Sequence, residues 1–168
     1  SMNKNLLIFL GIFSSLAVSR FVPHPPNFTS LIALSFYVPA ILGIRFIPYL
    51  IISFVITDLI IGYHNTTHWT WGSVLLIGLC SQLFIKSFLL RIIGVISGAT
   101  IFYLVTNFGV WTTGFYGFTY EGLITSYVLA IPFYAYSLIS TLLFSLVIET
   151  VHKYLKSKFG FKSSIKIS

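Results

Sequence analysis

The chain has 168 residues, and only 8% of them are Asp, Glu, Lys or Arg, against about 25% in an ordinary soluble domain. Hydrophobic residues make up 57% and aromatic residues 18%, so one small core cannot hide the apolar side chains. This composition excludes most soluble enzymes, nucleic-acid modules and disordered proteins, and the single cysteine excludes a disulfide framework. The sequence therefore predicts a small all-α, polytopic membrane protein.

Six apolar segments follow one another, separated by residues that interrupt helices. A span needs about 20 apolar residues, because each residue rises about 1.5 Å through about 30 Å of hydrocarbon. Prolines and glycines between the segments mark the breaks, and Pro132 is expected to bend the last helix. We predict a six-helix transmembrane domain over residues 1–151 and a basic cytoplasmic tail over residues 152–168. The predicted helices cover about residues 6–22, 28–43, 46–61, 71–85, 88–108 and 123–148.

The basic residues predict the orientation, because Lys and Arg are retained on the cytoplasmic side of a membrane. With the N-terminus inside, nine of the ten basic residues lie in inner segments and only Arg20 lies outside. Both termini are therefore expected in the cytoplasm. Half of the basic residues lie in the last 16 residues, so they do not form a continuous basic face. The formal charge of +7 therefore does not indicate a nucleic-acid partner. The tail is expected to serve as a topology anchor or to lie near anionic headgroups.

Hydrogen-bonding and aromatic residues concentrate in the three loops that this topology places outside, which predicts an outward-facing pocket for a polar, ring-containing solute. An aromatic belt at the outer interface is the alternative explanation for the tryptophans and tyrosines. Asp58 could equally pair with Arg20. The predicted substrate-binding residues are Asn27, Asp58, His64, His68, Trp71, Asn107, Trp111 and Tyr116. Other polar residues of these loops are Arg20, His24, Thr29, Thr66, Thr67 and Glu121.

Other ionisable residues give weaker indications. Two histidines four residues apart are compatible with zinc only on a helix, and no third ligand is near them, so no metal site is predicted. Glu149 is expected to be a solvated partner of Lys153, four residues further on. No arrangement of nucleophile, base and acid indicates catalysis, so the protein is not expected to be an enzyme.

Small residues and the single cysteine complete the candidate positions. Cys80 is either an apolar filler within helix 4 or a thiolate ligand for a metal carried by the substrate. Small residues at every fourth position let helices approach closely, within the protein or against a separate membrane subunit. These helix-packing or subunit-contact residues are Gly11, Ser15, Ser19, Gly94 and Gly98.

The order of these features resembles a known class of membrane proteins. The stretch from Arg20 to Gly62, with Thr57-Asp58-Leu59-Ile60-Ile61-Gly62, resembles the first half of the substrate-binding S components of energy-coupling factor (ECF) vitamin transporters. An uncharacterised family of small bacterial membrane proteins akin to them is closer still. Its pattern is also visible in Asn107-Phe108-Gly109-Val110-Trp111 and in the run from Tyr127 to Tyr136.

The resemblance implies an S-component-like bundle of six helices in the bacterial cytoplasmic (inner) membrane, with a vitamin-like or heterocyclic nutrient bound near the outer face. It also implies a transmembrane coupling subunit driven by ATPases as partners, which in that fold contacts small residues of helix 1. A solitary cobalamin (corrinoid) transporter with Cys80 as cobalt ligand is one alternative, with cobalamin as substrate and no resident cofactor. A structural or assembly subunit without a small-molecule substrate is the other.

Overall fold

The computed structural model describes residues 3–160, 162–163 and 165, and over these residues the chain is all-helical, without a strand. Lys166 of the predicted tail lies outside the described residues. Two short 3₁₀ turns, at Ile44–Phe46 and Ser81–Phe84, each connect two consecutive α-helices. In the described ranges the α-helices are α1 (Lys4–Phe21), α2 (Leu31–Leu42), α3 (Ile47–Ile61), α4 (Thr67–Cys80), α5 (Phe88–Thr112), α6 (Tyr120–Leu129) and α7 (Ile131–Phe159).

Four helical segments of the described chain are long and apolar enough to cross a membrane. They are Lys4–Phe21, Ile44–Ile61, Phe88–Thr112 and Ile131–Phe159. Their mean hydropathy lies between 1.3 and 2.1, which is compatible with a membrane protein.

The shorter helix α2 is apolar and lies at the centre of the bundle. It packs against α4, α7 and α5, while α1 packs mainly against α3. Phe36 and Tyr37 of α2 are almost fully buried, and Ala33 and Ala40 are completely buried. Neighbouring helices rather than lipid therefore surround much of α2, which explains how so short a helix is accommodated.

Several helix boundaries differ from the sequence-based prediction, most of all those of α4, α6 and α7. Helix α4 begins at Thr67 and ends at Cys80, four residues earlier than predicted at its start and five at its end. Where the sequence predicts one bent helix, α6 ends at Leu129 and α7 starts at Ile131. Pro132 lies in the first turn of α7, where its missing N–H breaks no helical hydrogen bond.

Helix α7 is also longer than predicted, because it continues through part of the predicted tail to Phe159. Gly160 ends it with a left-handed backbone, φ 63°, and its N–H bonds to the carbonyl of Lys156. Glycine adopts this conformation without the steric penalty that a Cβ would bring.

The connections lie at two opposite ends of the bundle. We call the end formed by residues 22–30, 62–66 and 113–119 the loop-rich end, and the end formed by residues 43–46, 81–87 and the last turns of α7 the basic end. Of the described Lys and Arg side chains, only Arg20 belongs to the loop-rich end. The helices thus separate the polar loops from almost all of the positive charge.

Candidate functional site

A cavity of about 370 Å³ lies at the loop-rich end, within the range of small-molecule sites. Six helices, α1 to α5 and α7, contribute to its wall, so its shape depends on how these helices pack together. The lining residues are Arg20, His24, Asn27, Thr29, Leu31, Ile32, Phe54, Asp58, Ile61, His64, Thr66, Thr67, Thr70, Phe102 and Ser137.

An ion pair between α1 and α3 forms part of this wall. Nη2 of Arg20 donates to Oδ1 of Asp58 at 2.7 Å, and Nη1 donates to the hydroxyl of Thr57 at 2.5 Å. The guanidinium also lies 4.7 Å from the ring centre of Phe54, an additional cation–π contact. Of the two alternatives for Asp58, the structure shows the pairing with Arg20. The two charges offset one another at the edge of the cavity.

Trp71 of α4, which does not line the cavity, donates a further hydrogen bond to the carboxylate of Asp58. Its Nε1–H donates to Oδ2 of Asp58 at 2.8 Å, so both carboxylate oxygens accept a hydrogen bond. The side chain of Asp58 is only 9% exposed, which makes these bonds necessary to stabilise its charge. Asp58 thereby joins the ends of α1, α3 and α4.

We predict that Trp71→Phe lowers the free energy of unfolding by about 1–2 kcal/mol, because the smaller aromatic ring of phenylalanine has no N–H to donate to Oδ2 of Asp58. Trp111→Phe is the matched control, since its Nε1–H bonds to the carbonyl of Thr119 at an exposed position. Thermal unfolding of both variants in detergent measures the difference. Equal losses would show that the hydrogen bond to Asp58 contributes nothing specific.

The first loop is held against α7 by a strained residue. Asn27 has a left-handed backbone, φ 61°, which asparagine tolerates better than most residues. Its carbonyl accepts a hydrogen bond from Ser140 at 3.2 Å. His24 lies in the same loop, with its ring nitrogens 2.6 Å from the carbonyl of Pro25 and 3.1 Å from that of Arg20. These contacts place Asn27 and His24 at the cavity.

The second loop brings a histidine and several threonines to the opposite wall. The backbone N–H of His64 donates to the hydroxyl of Thr67 at 2.9 Å, and the hydroxyl of Thr70 donates to the carbonyl of Thr67 at 2.6 Å. The hydroxyl of Thr67 thus stabilises the turn that leads into α4. His64 is exposed at the cavity rim.

The structure brings together part of the predicted site. Asn27, Asp58 and His64 line the cavity, and Trp71 contacts it through Asp58. The other four predicted residues do not line it. The ring of His68 contacts that of Trp69, the side chain of Asn107 donates to the carbonyl of Tyr103 within α5, Trp111 donates to the carbonyl of Thr119, and Tyr116 packs against Phe115.

Several lining residues were outside the predicted set. Arg20, His24, Thr29, Thr66 and Thr67 come from the same polar loops, so the clustering of polar residues could have found them. Phe102 and Ser137 lie inside apolar helices and gave no comparable signal. No group of three His, Cys, Asp or Glu side chains that could hold a metal occurs among the described residues.

Cys80 lies at the other end of α4 from this cavity. It is half-buried and lines a void of about 10 Å³ beside Phe36 and Phe84, with room for about one water molecule. Thirteen residues separate it from Thr67 along α4, a rise of about 20 Å. The thiol therefore does not line this cavity.

The small residues are used differently in α1 and α5. A Cβ added at Gly94 would lie 2.5 Å from Phe36, and one at Gly98 would lie 3.2 Å from Ile77, so the α5 residues pack inside the bundle. A Cβ at Gly11 would meet nothing within 4 Å. Ser15 is exposed, and the hydroxyl of Ser19 hydrogen-bonds to that of Ser30 at 2.8 Å.

A second polar cluster joins α2, α5 and α7 nearer the basic end. Nε of Arg91 donates to Oε1 of Glu149 at 2.5 Å, and Nη2 donates to Oε2 at 3.0 Å. The hydroxyl of Tyr37 donates to Oε1 of Glu149 at 2.9 Å. The expected pairing of Glu149 with Lys153 is therefore wrong, because this face of α7 packs against α5, and burial favours the two-pronged contact with a guanidinium.

Comparison with known protein families identifies one relation. A model of a family of unknown function, DUF6580, matches residues 1–164, so the chain belongs to this family. Neither the curated proteins nor the solved structures provide a match. The family relation assigns no activity.

Proposed function

We propose that this protein, as a member of DUF6580, binds a small polar solute in the cavity at the loop-rich end and carries it across a membrane. The observation that supports this function is the cavity itself, in which hydroxyl, imidazole and amide groups surround a neutralised ion pair. A structural subunit would need no such concave polar site.

The topology that fits this function has six spans, with α6 and α7 together forming the sixth. The basic end is then cytoplasmic, because Lys and Arg are retained on that side, and the cavity opens outward. We place the protein in the bacterial cytoplasmic membrane, with both termini inside.

The cavity wall favours a solute that combines a ring with hydrogen-bonding groups. Phe54, Phe102 and Ile32 supply apolar surface, while Asn27 and His64 supply polar groups that would orient the solute. Because Arg20 and Asp58 already neutralise one another, an uncharged vitamin-like or heterocyclic nutrient fits better than a strong anion or cation.

Uptake against a gradient requires energy, and the sequence contains no nucleotide-binding motif. An S-component-like protein of this kind would obtain energy from a coupling subunit and its ATPases. The open face of α1 around Gly11 is where close contact with such a subunit is sterically allowed.

A matched pair of histidines tests this function. Purified protein is incubated with a panel of vitamins, nucleobases and corrinoids, and native mass spectrometry and thermal shift report binding. For a compound that binds, we expect His64→Ala to weaken affinity about tenfold, the effect of losing one hydrogen bond to a ligand. His68→Ala should have no effect, because this exposed side chain lies outside the cavity.

Two outcomes would contradict the proposal. One is that no member of the panel binds and that cells carrying His64→Ala take up the same nutrients as the wild type. The other is that His64→Ala and His68→Ala weaken binding equally, since the cavity would then not be the site. Unfolding curves of both variants control for a general loss of structure.

A second candidate, an assembly subunit, is favoured by one observation at the same end. Phe115, Phe118 and Tyr120 are 79%, 72% and 74% exposed, on and beside the loop of residues 113–119. Rings so exposed either sit at the membrane interface or contact another protein. Co-purification of one defined protein, lost when these three residues are replaced by serine, would support assembly over uptake.

A further inference from the structure

A second cavity lies at the basic end, between the start of α5 and the last turns of α7. Its volume is also about 370 Å³. Phe88 and Leu146 form an apolar part of its wall, and Thr150 and Lys153 form a polar part nearer the end of α7. Nothing in the proposed uptake of a solute uses this cavity.

The charges around this cavity are not balanced. Arg91 and Glu149 both line it, but they form an ion pair, and their charges offset one another. Lys153 is exposed, and it makes no ion pair within the described ranges of the chain. The first turn of α5, at Phe88, adds the positive end of a helix dipole. The cavity therefore favours an anion.

The apolar part of the wall indicates what kind of anion. Phe88 is 43% exposed and Leu146 is 49% exposed, both on the outside of the bundle. Thr150 and Lys153 follow Leu146 at helical spacing, so the surface changes from apolar to cationic along one face of α7. A free phosphate ion would use only the polar part of this surface. A phospholipid uses both parts, since its acyl chains lie beside its phosphate.

We propose that this cavity binds the headgroup of an anionic phospholipid. Its phosphate lies against Lys153 and Thr150, and its acyl chains lie along Leu146 and Phe88. Basic pockets between membrane helices are common sites for such headgroups. The site requires only that the bundle lies in a membrane, and it is independent of the solute and of the uptake proposed above.

Two lysines of α7 provide the test. The full chain in detergent is titrated with phosphatidylglycerol or with phosphatidylcholine of the same acyl chains, and native mass spectrometry counts the bound lipids. We expect Lys153→Gln to weaken binding of phosphatidylglycerol about fivefold, the effect of one lysine near an anionic headgroup. Lys158→Gln should leave binding unchanged, because Lys158 lies against the ring of Tyr154 and outside the cavity.

Three results would each overturn the site. Equal weakening by both substitutions would show only diffuse attraction to the basic end. Equal binding of phosphatidylcholine would show that the headgroup charge is not recognised. Displacement of phosphatidylglycerol by millimolar inorganic phosphate would indicate a site for free phosphate. Both lysines are exposed, so each variant should fold, and thermal unfolding verifies this.

Discussion

Replacing Arg91 with alanine is expected to lower the free energy of unfolding by about 3–5 kcal/mol, the usual effect of removing one partner of a buried ion pair. The side chain of Arg91 is 3% exposed and that of Glu149 is 12% exposed, so water would replace the lost interaction only in part. After the substitution, the carboxylate would keep the hydroxyl of Tyr37 as its hydrogen-bond donor. Denaturation in mixed detergent micelles measures the change.

Two further variants show whether the buried charge is the cause. Arg45→Ala removes an exposed arginine of the same end, which contacts the ring of Phe46, and should lower stability by less than about 1 kcal/mol. The double variant Arg91→Met, Glu149→Gln leaves no charge, and its amide oxygen can still accept from Tyr37. It should be more stable than Arg91→Ala alone. If Arg91→Ala is no more harmful than Arg45→Ala, the ion pair does not stabilise the bundle.

This ion pair is also an example of a contact that a single sequence does not indicate. Glu149 and Lys153 satisfy the local rule for helical pairs, which uses only positions four residues apart. Arg91 is 58 residues from Glu149 in the chain, and only the packing of α5 against α7 brings them together. No spacing in a single sequence indicates such a contact.

The helices themselves were more accessible to prediction. Long apolar segments between prolines and glycines indicate helices, and Gly43 and Gly62 do end α2 and α3. The break before α7 was harder to locate, because a proline within an apolar run is compatible with a kink or with a new helix. Thr67, a poor helix former, starts α4 because its hydroxyl bonds to the backbone of His64.

The residues of the candidate site were likewise predictable only in part. Asn27, Asp58 and His64 could be selected because polar residues beside apolar segments are conspicuous in sequence. Tyr116 and Trp111 were equally conspicuous, but Trp111 lies in the last turn of α5 with a hydrogen bond to Thr119, and neither residue lines the cavity. Ser137 lines the cavity from within α7, where one hydroxyl among apolar residues gives no signal. The positions of polar residues in the sequence therefore indicate at which end of the bundle the cavity lies, but the packing of the helices determines which residues line it.

The two ends of the bundle also differ in how they use charge. At the loop-rich end, Arg20 and Asp58 border an open cavity, with a side-chain exposure of 15% and 9%. Nearer the basic end, Arg91 and Glu149 join α5 to α7. Between the two pairs, Ile77, Val95 and Ala99 are buried in one cluster with Phe36 and Tyr37 of α2. Movement of a solute between the ends would have to separate these helices, so their packing limits any transport.

Gly94→Ala probes that packing directly, and we expect it to lower the free energy of unfolding by about 1–3 kcal/mol, the range for overpacking a core. The new Cβ would lie 2.5 Å from Cε2 of Phe36 and 2.7 Å from Cβ of Phe84. Phe36 is 1% exposed, and the void of about 10 Å³ beside it is too small for its ring to move into. The Cβ of Phe84 can move only with its backbone, so the turn at Ser81–Phe84 would shift as well.

Other glycines of the bundle are the controls. Gly11→Ala should raise the free energy of unfolding by about 0.5–1 kcal/mol, because alanine favours a helix and no atom lies within 4 Å of its Cβ. Gly98→Ala should fall between the two, since its nearest neighbour, Cγ2 of Ile77, lies at 3.2 Å and ends a side chain that can adjust. The three variants share the same gain in helix propensity, so their order isolates the effect of packing. If Gly94→Ala were as stabilising as Gly11→Ala, α2 and α5 would not be in close contact, and the central barrier between the two ends would not exist.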